Sequence, residues 1–164
     1  MFIAEHGVPM DAVASDFVAG FTEQEVLAAS RDADIVLVEG QGAIHHPGYS
    51  GVTLSLLHGA APSALVLCHE HGRERVRDRD LDIPSLAELV ISYELAASWV
   101  SPARVIGIAL NTWSVNEEDG RTALDAAART TGLPATDPVR FGVSELADAL
   151  VAAASARRAR ATHA

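Results

Sequence analysis

Apolar residues along the chain gather in short runs set between stretches with helical spacing. Asp34 to Val38, Ala64 to Cys68, Arg104 to Leu110 and a shorter segment at Pro134 to Thr136 are rich in β-branched and aliphatic side chains and are predicted strands. None alternates cleanly between apolar and polar, which predicts burial on both faces. Helix signals fall between them. Thr22 and Glu25 make a T-x-x-E capping box ahead of Val26 and Leu27, and Ser85 with Glu88 makes another directly after Pro84. Gly51 to Gly59 reads as a short helix. Asn116 and its following acids open the next, Gly132 closes it, and Ser144 is expected to cap a last helix through the alanine-rich end. Strand and helix alternate, so the predicted fold is α/β. Parallel neighbours need crossover connections, hence a mostly parallel sheet with helices on both faces.

A length of 164 residues fits one domain, placed at 1–155, with a frayed basic tail over 156–164 that holds Arg157, Arg158 and Arg160. Leu146, Leu150 and Val151 recur at helical spacing in the last helix. They either pack on its own sheet or serve an interface between copies, and a homo-oligomer is expected.

Forty-nine per cent hydrophobic against 21% charged residues excludes a disordered chain, and the apolar runs are too short to span a membrane. A formal charge of -10 argues against a whole-domain grip on nucleic acid or anionic lipid. All 12 basic residues are arginine, so a lysine Schiff base, a lysine general base and a GxxxxGK[ST] phosphate loop are excluded within these residues. The single cysteine, Cys68, excludes an intrachain disulfide and a Cys-rich zinc or iron–sulfur site. It ends a buried-looking strand and is expected to be an inert core thiol. The first residues carry an acid at position 5 and no apolar h-region, so no secretory signal is read and a cytoplasmic location is expected.

In open parallel sheets the ligand crevice lies beyond the carboxyl ends of the strands, and the residues there are unusually polar. After the first predicted strand, Glu39 to Gly51 holds four glycines in 13 residues, among them Gly40 and Gly42 around Gln41. Glycines let backbone N–H groups approach an anion, and Ser50, next to Tyr49, is placed to begin a helix whose amino end favours one. Glu39 at the crevice mouth suits a ligand to phosphate-bound Mg²⁺ or a general base. After the second strand, Cys68-His-Glu-His-Gly-Arg73 brings His69 and Glu70 to the same edge. His45, His46, His69 and His71 are zinc-competent residue types, but the H-x-H spacing is common and no H-E-x-x-H is present, so no zinc is expected. A histidine moving a proton or holding a substrate carboxylate is the favoured role. Asn111 and Thr112 follow the third strand, where Asn either contacts a purine edge or caps a turn. Arg73 and Arg140 are candidates for holding a carboxylate or phosphate, while the run Arg73 to Asp82 alternates in sign and reads mostly as a solvated loop.

Six segments in order, Val38-Glu-Gly-Gln-Gly42, His46-Pro-Gly-Tyr-Ser-Gly-Val52, Leu57-His-Gly59, Leu67-Cys-His-Glu70, Leu110-Asn-Thr112 and Gly132 to Gly142, resemble the carboxyl-terminal domain of the D-glutamate N-acetyltransferase-like family. That family has long been catalogued as a domain of unknown function with a P-loop NTPase-like fold. The resemblance covers about residues 1 to 150. It implies acetyl transfer from acetyl-CoA to the amino group of D-glutamate. Under it Glu39, His46 and His69 are the expected catalytic residues, with His46 or His69 as base. Tyr49, Ser50, Glu70, Arg73 and Arg140 fall to the substrate, and Gly40, Gln41, Gly42, Asn111 and Thr112 to the nucleotide portion. Val38-Glu39-Gly40 also looks like the strand-end motif of dethiobiotin synthetases, whose glutamate binds magnesium. Asp16 is the candidate for a second carboxylate at the phosphates.

Family members have an amino-terminal domain and a glycine-rich phosphate loop ahead of the region matched here, so the resemblance implies a P-loop-like fold incomplete on that side and an upstream P-loop-bearing chain as partner. Two other readings stand beside acetyl transfer: part of a Mg-ATP-dependent ligase or kinase, and a non-catalytic binding or assembly domain. Lacking Gly-Lys-Thr, the chain alone is expected to bind ATP or CoA weakly or not at all. Isothermal calorimetry checks this, and tight magnesium-dependent nucleotide binding would refute it.

Overall fold

The structure, a computed structural model, describes residues 12–161. A 3-10 turn at Ser15–Phe17 leads into α1 (Val18–Ala29), and after a long loop comes α2 (Ser50–Ala60). There follow β1 (Ala64–Glu70), α3 (Leu86–Ser98), β2 (Arg104–Asn111), α4 (Glu117–Thr131), β3 (Ala135–Thr136) and α5 (Ser144–Ala161). β1 pairs with β2 and β2 with β3, both parallel. The α/β class and the parallel sheet are as predicted. The described residues group into two compact units: one runs through Pro62 and takes in Ala96–Pro102, and the other holds Ser63–Leu95 and the chain from Ala103 on.

In the first unit α1 and α2 approach so closely that a Cβ on Gly59 would lie 2.2 Å from the Ala19 carbonyl oxygen, which only glycine permits. α1 begins at Val18, four residues ahead of the predicted capping box. Thr22 is buried inside it and its hydroxyl donates to the Val18 carbonyl at 2.8 Å. Once the preceding turn starts the helix, a threonine in its second turn bonds back to that carbonyl instead of capping. The predicted strand at Asp34 to Val38 does not form. Leu37 is 78% exposed, and the run joins no ladder among the described residues. Strand-prone side chains are not enough; the backbone groups need a neighbouring strand to pair with.

The sheet lies in the second unit. Leu67, Val105, Ile108 and Leu110 pack with Leu89 of α3 and Leu124 of α4, and Ile108 is fully buried. Burying one such side chain stabilises by about 1.5–3 kcal/mol. β1 is not buried on both faces: Leu67 is buried and Cys68 beside it is exposed, the period of two that any strand imposes. The expectation of a core thiol at Cys68 is therefore corrected. α5 packs through buried Leu146 onto β2 at Gly107, where a Cβ would meet the leucine at 2.4 Å, whereas Val151 is exposed. α5 starts at Ser144 itself and continues through Ala161, over residues expected to fray; Arg157 and Arg158 near its carboxyl end suit the helix dipole.

The remaining helix signals are as read. The Asn116 side chain accepts from the Asp119 N–H at 2.9 Å, and Gly132 closes α4 at a φ of 70°. At the start of α3, Ser85 and Glu88 exchange bonds in both directions. The Ser85 hydroxyl first, then its N–H, hold the Glu88 carboxyl below its ordinary pKa.

One buried group binds two strand ends. Asp137, 2% exposed just past β3, accepts from the Thr112 hydroxyl at 2.6 Å, the Thr112 N–H at 2.9 Å, and the Val139 and Arg140 N–H groups at 3.0 and 3.1 Å. Burial pushes its pKa up, but the bonds from Thr112, Arg140 and Val139 together outweigh burial and hold it below the ordinary 3.8. Asp137→Ala, which strands two buried Thr112 donors, is expected to cost about 2–4 kcal/mol in urea denaturation at neutral pH. A depressed folded-state pKa stabilises above the unfolded value and is lost as pH falls through the folded one. The gap between wild type and variant is therefore expected to shrink below about pH 4.

Candidate functional site

Parallel pairing brings the carboxyl ends of the strands to one edge, with Glu70 of β1 in register with Asn111 of β2. The loops leaving those ends are tied together. The His71 N–H donates to the Asn111 carbonyl at 2.9 Å, and the Asn111 side chain turns back to accept from the Trp113 N–H at 3.1 Å. The indole N–H of Trp113 donates to Glu70 Oε1 at 3.3 Å, while Arg73 Nη1 donates to Glu70 Oε2 at 3.3 Å. Arg140 reaches in from the loop after β3 and donates to the carbonyls of Val115 at 2.8 Å and Trp113 at 3.3 Å. Between the first two loops lies an open cleft of about 480 Å³ lined by Glu70, His71, Gly72, Arg73, Arg77, Ser114 and Val115. This volume is in the range of small-molecule sites.

Of the predicted site residues, Glu70 and Arg73 line this cleft. His69 precedes Glu70 on β1, where successive side chains take opposite faces, and it does not line the cleft; His71, in the turn after the strand, does. Asn111 adopts the turn-capping geometry, and Thr112 is wholly buried with its hydroxyl committed to Asp137. Arg140 spends its guanidinium on two carbonyls, so it positions the wall carrying Ser114 and Val115 and does not line the cleft.

The other predicted residues belong to the first unit. Glu39, Gly40 and Gln41 are exposed, and the Gln41 carbonyl accepts from the Thr53 hydroxyl at 2.8 Å. Gly42 has a φ of +69° and backs onto Tyr49, whose Cβ would stand 2.5 Å from an added one. His46 accepts from the Gly48 N–H through Nδ1 at 3.1 Å, which leaves its proton on Nε2, and its ring lies 4.4 Å from that of Tyr49. Ser50 is the first residue of α2, as expected, and its N–H donates to the His46 carbonyl. Asp16 is exposed in the turn before α1. Among the described residues no three of His, Cys, Asp and Glu gather in a group that could hold a metal ion. Single exposed carboxylates such as Glu39 and Asp16 suit magnesium when phosphate oxygens and water complete its shell.

Sequence reasoning missed Arg77, Ser114 and Trp113. The first was hidden in the sign-alternating run, and the other two follow Asn111 and Thr112 directly. Among the described residues no helix is long and apolar enough to cross a membrane.

A parallel sheet with helices between its strands and a polar cleft at its carboxyl edge defines an α/β domain. Residues 1–147 match the model of a P-loop domain catalogued as a domain of unknown function, DUF1611_C, and the chain belongs to this family. Two relatives are named D-glutamate N-acetyltransferase. One, from Tritonibacter scottomollicae, is 43% identical over 155 residues, 93% of this chain and 46% of its own length. The other, from a Pseudoalteromonas species, is 36% identical over 151 residues, 89% of this chain and 44% of its own. A crystal structure of a DUF1611 family protein from Anabaena variabilis superposes with a TM-score of 0.84 at 42% identity, covering 88% of this chain and 43% of that one. The chain thus spans less than half the length of the relatives it matches.

Arg140→Ala removes the donor from two carbonyls at an exposed site and is expected to cost about 1 kcal/mol. In a Trp99→Phe background, which leaves Trp113 as the only indole, the variant is expected to lower fluorescence anisotropy. Unchanged anisotropy would show that the loop holds its shape without Arg140.

Proposed function

We propose that this chain supplies part of the catalytic machinery of an enzyme that transfers acetyl from acetyl-CoA to the amino group of D-glutamate. The observation that carries the reading is 43% identity across 93% of the chain to a protein named D-glutamate N-acetyltransferase. The strand-end cleft is compatible with it, since Glu70 and Arg73 offer one group of each sign to an amino acid zwitterion.

The reaction needs the substrate ammonium to lose a proton before its nitrogen attacks the thioester carbonyl. The tetrahedral oxyanion then collapses, the C–S bond breaks, and CoA leaves as thiolate and takes up a proton. His69 or His46 is the proposed base and Glu39 a further catalytic carboxylate, each assigned by its chemistry. His46, whose proton lies on Nε2, is suited to donate toward the developing oxyanion or the leaving sulfur. Arg73 is the proposed carboxylate clamp and Arg140 holds the wall beside it. Tyr49 and Ser50 are assigned to the substrate, and the Gly40-Gln41-Gly42 turn and Asn111 to the nucleotide portion of the donor. Thr112 serves that portion by fixing the turn at Asn111. Magnesium held by Glu39 and Asp16 with donor phosphates would offset their charge. A P-loop-bearing polypeptide, equivalent to the portion of the relatives not covered here, is the proposed partner, within a homo-oligomer.

The test is thiol release and N-acetyl-D-glutamate formation from acetyl-CoA and D-glutamate. The chain is assayed alone and mixed with the uncovered portion of the Tritonibacter relative. Product is expected in the mixture, with His69→Ala or His46→Ala slowing it by about 10²–10⁴-fold. No product in either preparation, or ADP release from ATP in its place, would overturn the reading.

A further inference from the structure

The run from Arg73 to Asp82 alternates in sign, and its internal pairing is uneven. Arg73 donates to Glu70. Arg75 is held by Asp80 and Asp82, whose segment folds back through an isolated antiparallel bridge between Arg75 and Asp82. Arg79 donates to the Asp78 carbonyl. Arg77 alone among these four makes no hydrogen bond or ion pair among the described residues, and it lines the cleft with Glu70, Arg73 and Ser114. The backbone gives the reason: the buried Val76 N–H donates to the Leu81 carbonyl at 2.9 Å, so the loop is pinned beside Arg77 and its guanidinium is left on the cleft side.

Two guanidiniums against one carboxylate give the cleft an excess positive charge within a chain of net charge -10. An isolated positive site in an acidic protein attracts small anions and repels cations. One arginine is tied to Glu70 and the other is uncommitted. That pattern fits a ligand with an ammonium for Glu70, a carboxylate for Arg73 and a second carboxylate for Arg77.

We propose that the cleft at the carboxyl ends of β1 and β2 binds an α-amino dicarboxylate, and that Arg77 is the specificity residue that reads its side-chain carboxylate. The inference rests on the acetyl-transfer reading for the identity of the amino acid, but the charge arrangement stands apart from it. Arg77 acts by binding and has no part in moving the proton or the acetyl group.

The test is calorimetric titration of the full chain with D-glutamate, D-glutamine and glutarate, repeated with Arg77→Gln and Arg77→Lys. Wild type is expected to prefer D-glutamate over D-glutamine. Arg77→Gln is expected to weaken D-glutamate by about 10- to 100-fold, as for loss of a charged hydrogen bond, and to abolish the preference, while Arg77→Lys restores part of it. Because Arg77 is exposed and unpaired, far-UV circular dichroism should be unchanged, and a merely structural role would move both ligands alike. D-glutamate selectivity that survives Arg77→Gln overturns the assignment and leaves acetyl transfer standing. Arg77-dependent binding of glutarate without binding of D-glutamate supports the dicarboxylate site and removes the D-glutamate reading. Failure of wild type to bind any of the three overturns the proposal.

Discussion

A carboxylate with only 2% of its surface in contact with solvent survives at the end of β3 because four donors converge on it. Two come from Thr112, at the end of the neighbouring strand, and two from its own turn. Taking a charge out of water is costly unless hydrogen bonds replace the lost hydration, so Asp137 fixes the separation of the loops after β2 and β3. The rest of the rim hangs from that constraint. Holding Thr112 sets where Trp113 begins. The turn that presents the Arg140 N–H to Asp137 also sends the Arg140 guanidinium to the carbonyls of Trp113 and Val115. Trp113, so placed, reaches Glu70 on the first strand.

This arrangement explains why the cleft is polar on its walls and apolar beneath. Leu67, Ile108 and Leu110 fill the core behind the strand ends, and the cleft's polar side chains appear only at the last residue of β1 and in the loops beyond the strands. The sheet supplies rigidity and the loops supply groups of both signs. The Glu70–Arg73 pair is about one-third exposed on each partner, so it adds at most about 1 kcal/mol to stability, and its charges remain open to exchange with a ligand's.

Much of this architecture was legible because its signals are local. Asn116 with three acids, Gly132, and the Ser85–Glu88 box each mark a helix end through contacts three or four residues apart. Pairing over long range left no such trace. Ile35 to Val38 has a strand's composition but joins no ladder among the described residues, and Cys68 sits in a strand whose two faces differ. Arg140 looked like a free clamp because its two acceptors lie 25 and 27 residues away, and Thr112 looked like a ligand contact because Asp137 is 25 residues distant. Glu70 and Arg73 were readable from the rule that ligands gather past strand ends. Arg77 was not, because a sequence of alternating signs does not say which charges cancel.

That last point bears on how such a site discriminates. A charged run is inert only if each cation finds an acid with suitable backbone geometry. Here the fold-back at Asp80 and Asp82 satisfies Arg75 and leaves Arg77 over. A group that holds a carboxylate remote from the bond being made interacts equally with the ground state and the transition state. Such uniform binding lowers KM without raising kcat, so under the proposed acetyl transfer selection among amino acids falls to the surface loop and the rate to the groups that move the proton. An exposed arginine on a rigid turn suits that division. It contributes attraction and geometry, and losing it leaves no unpaired charge behind to unfold the domain.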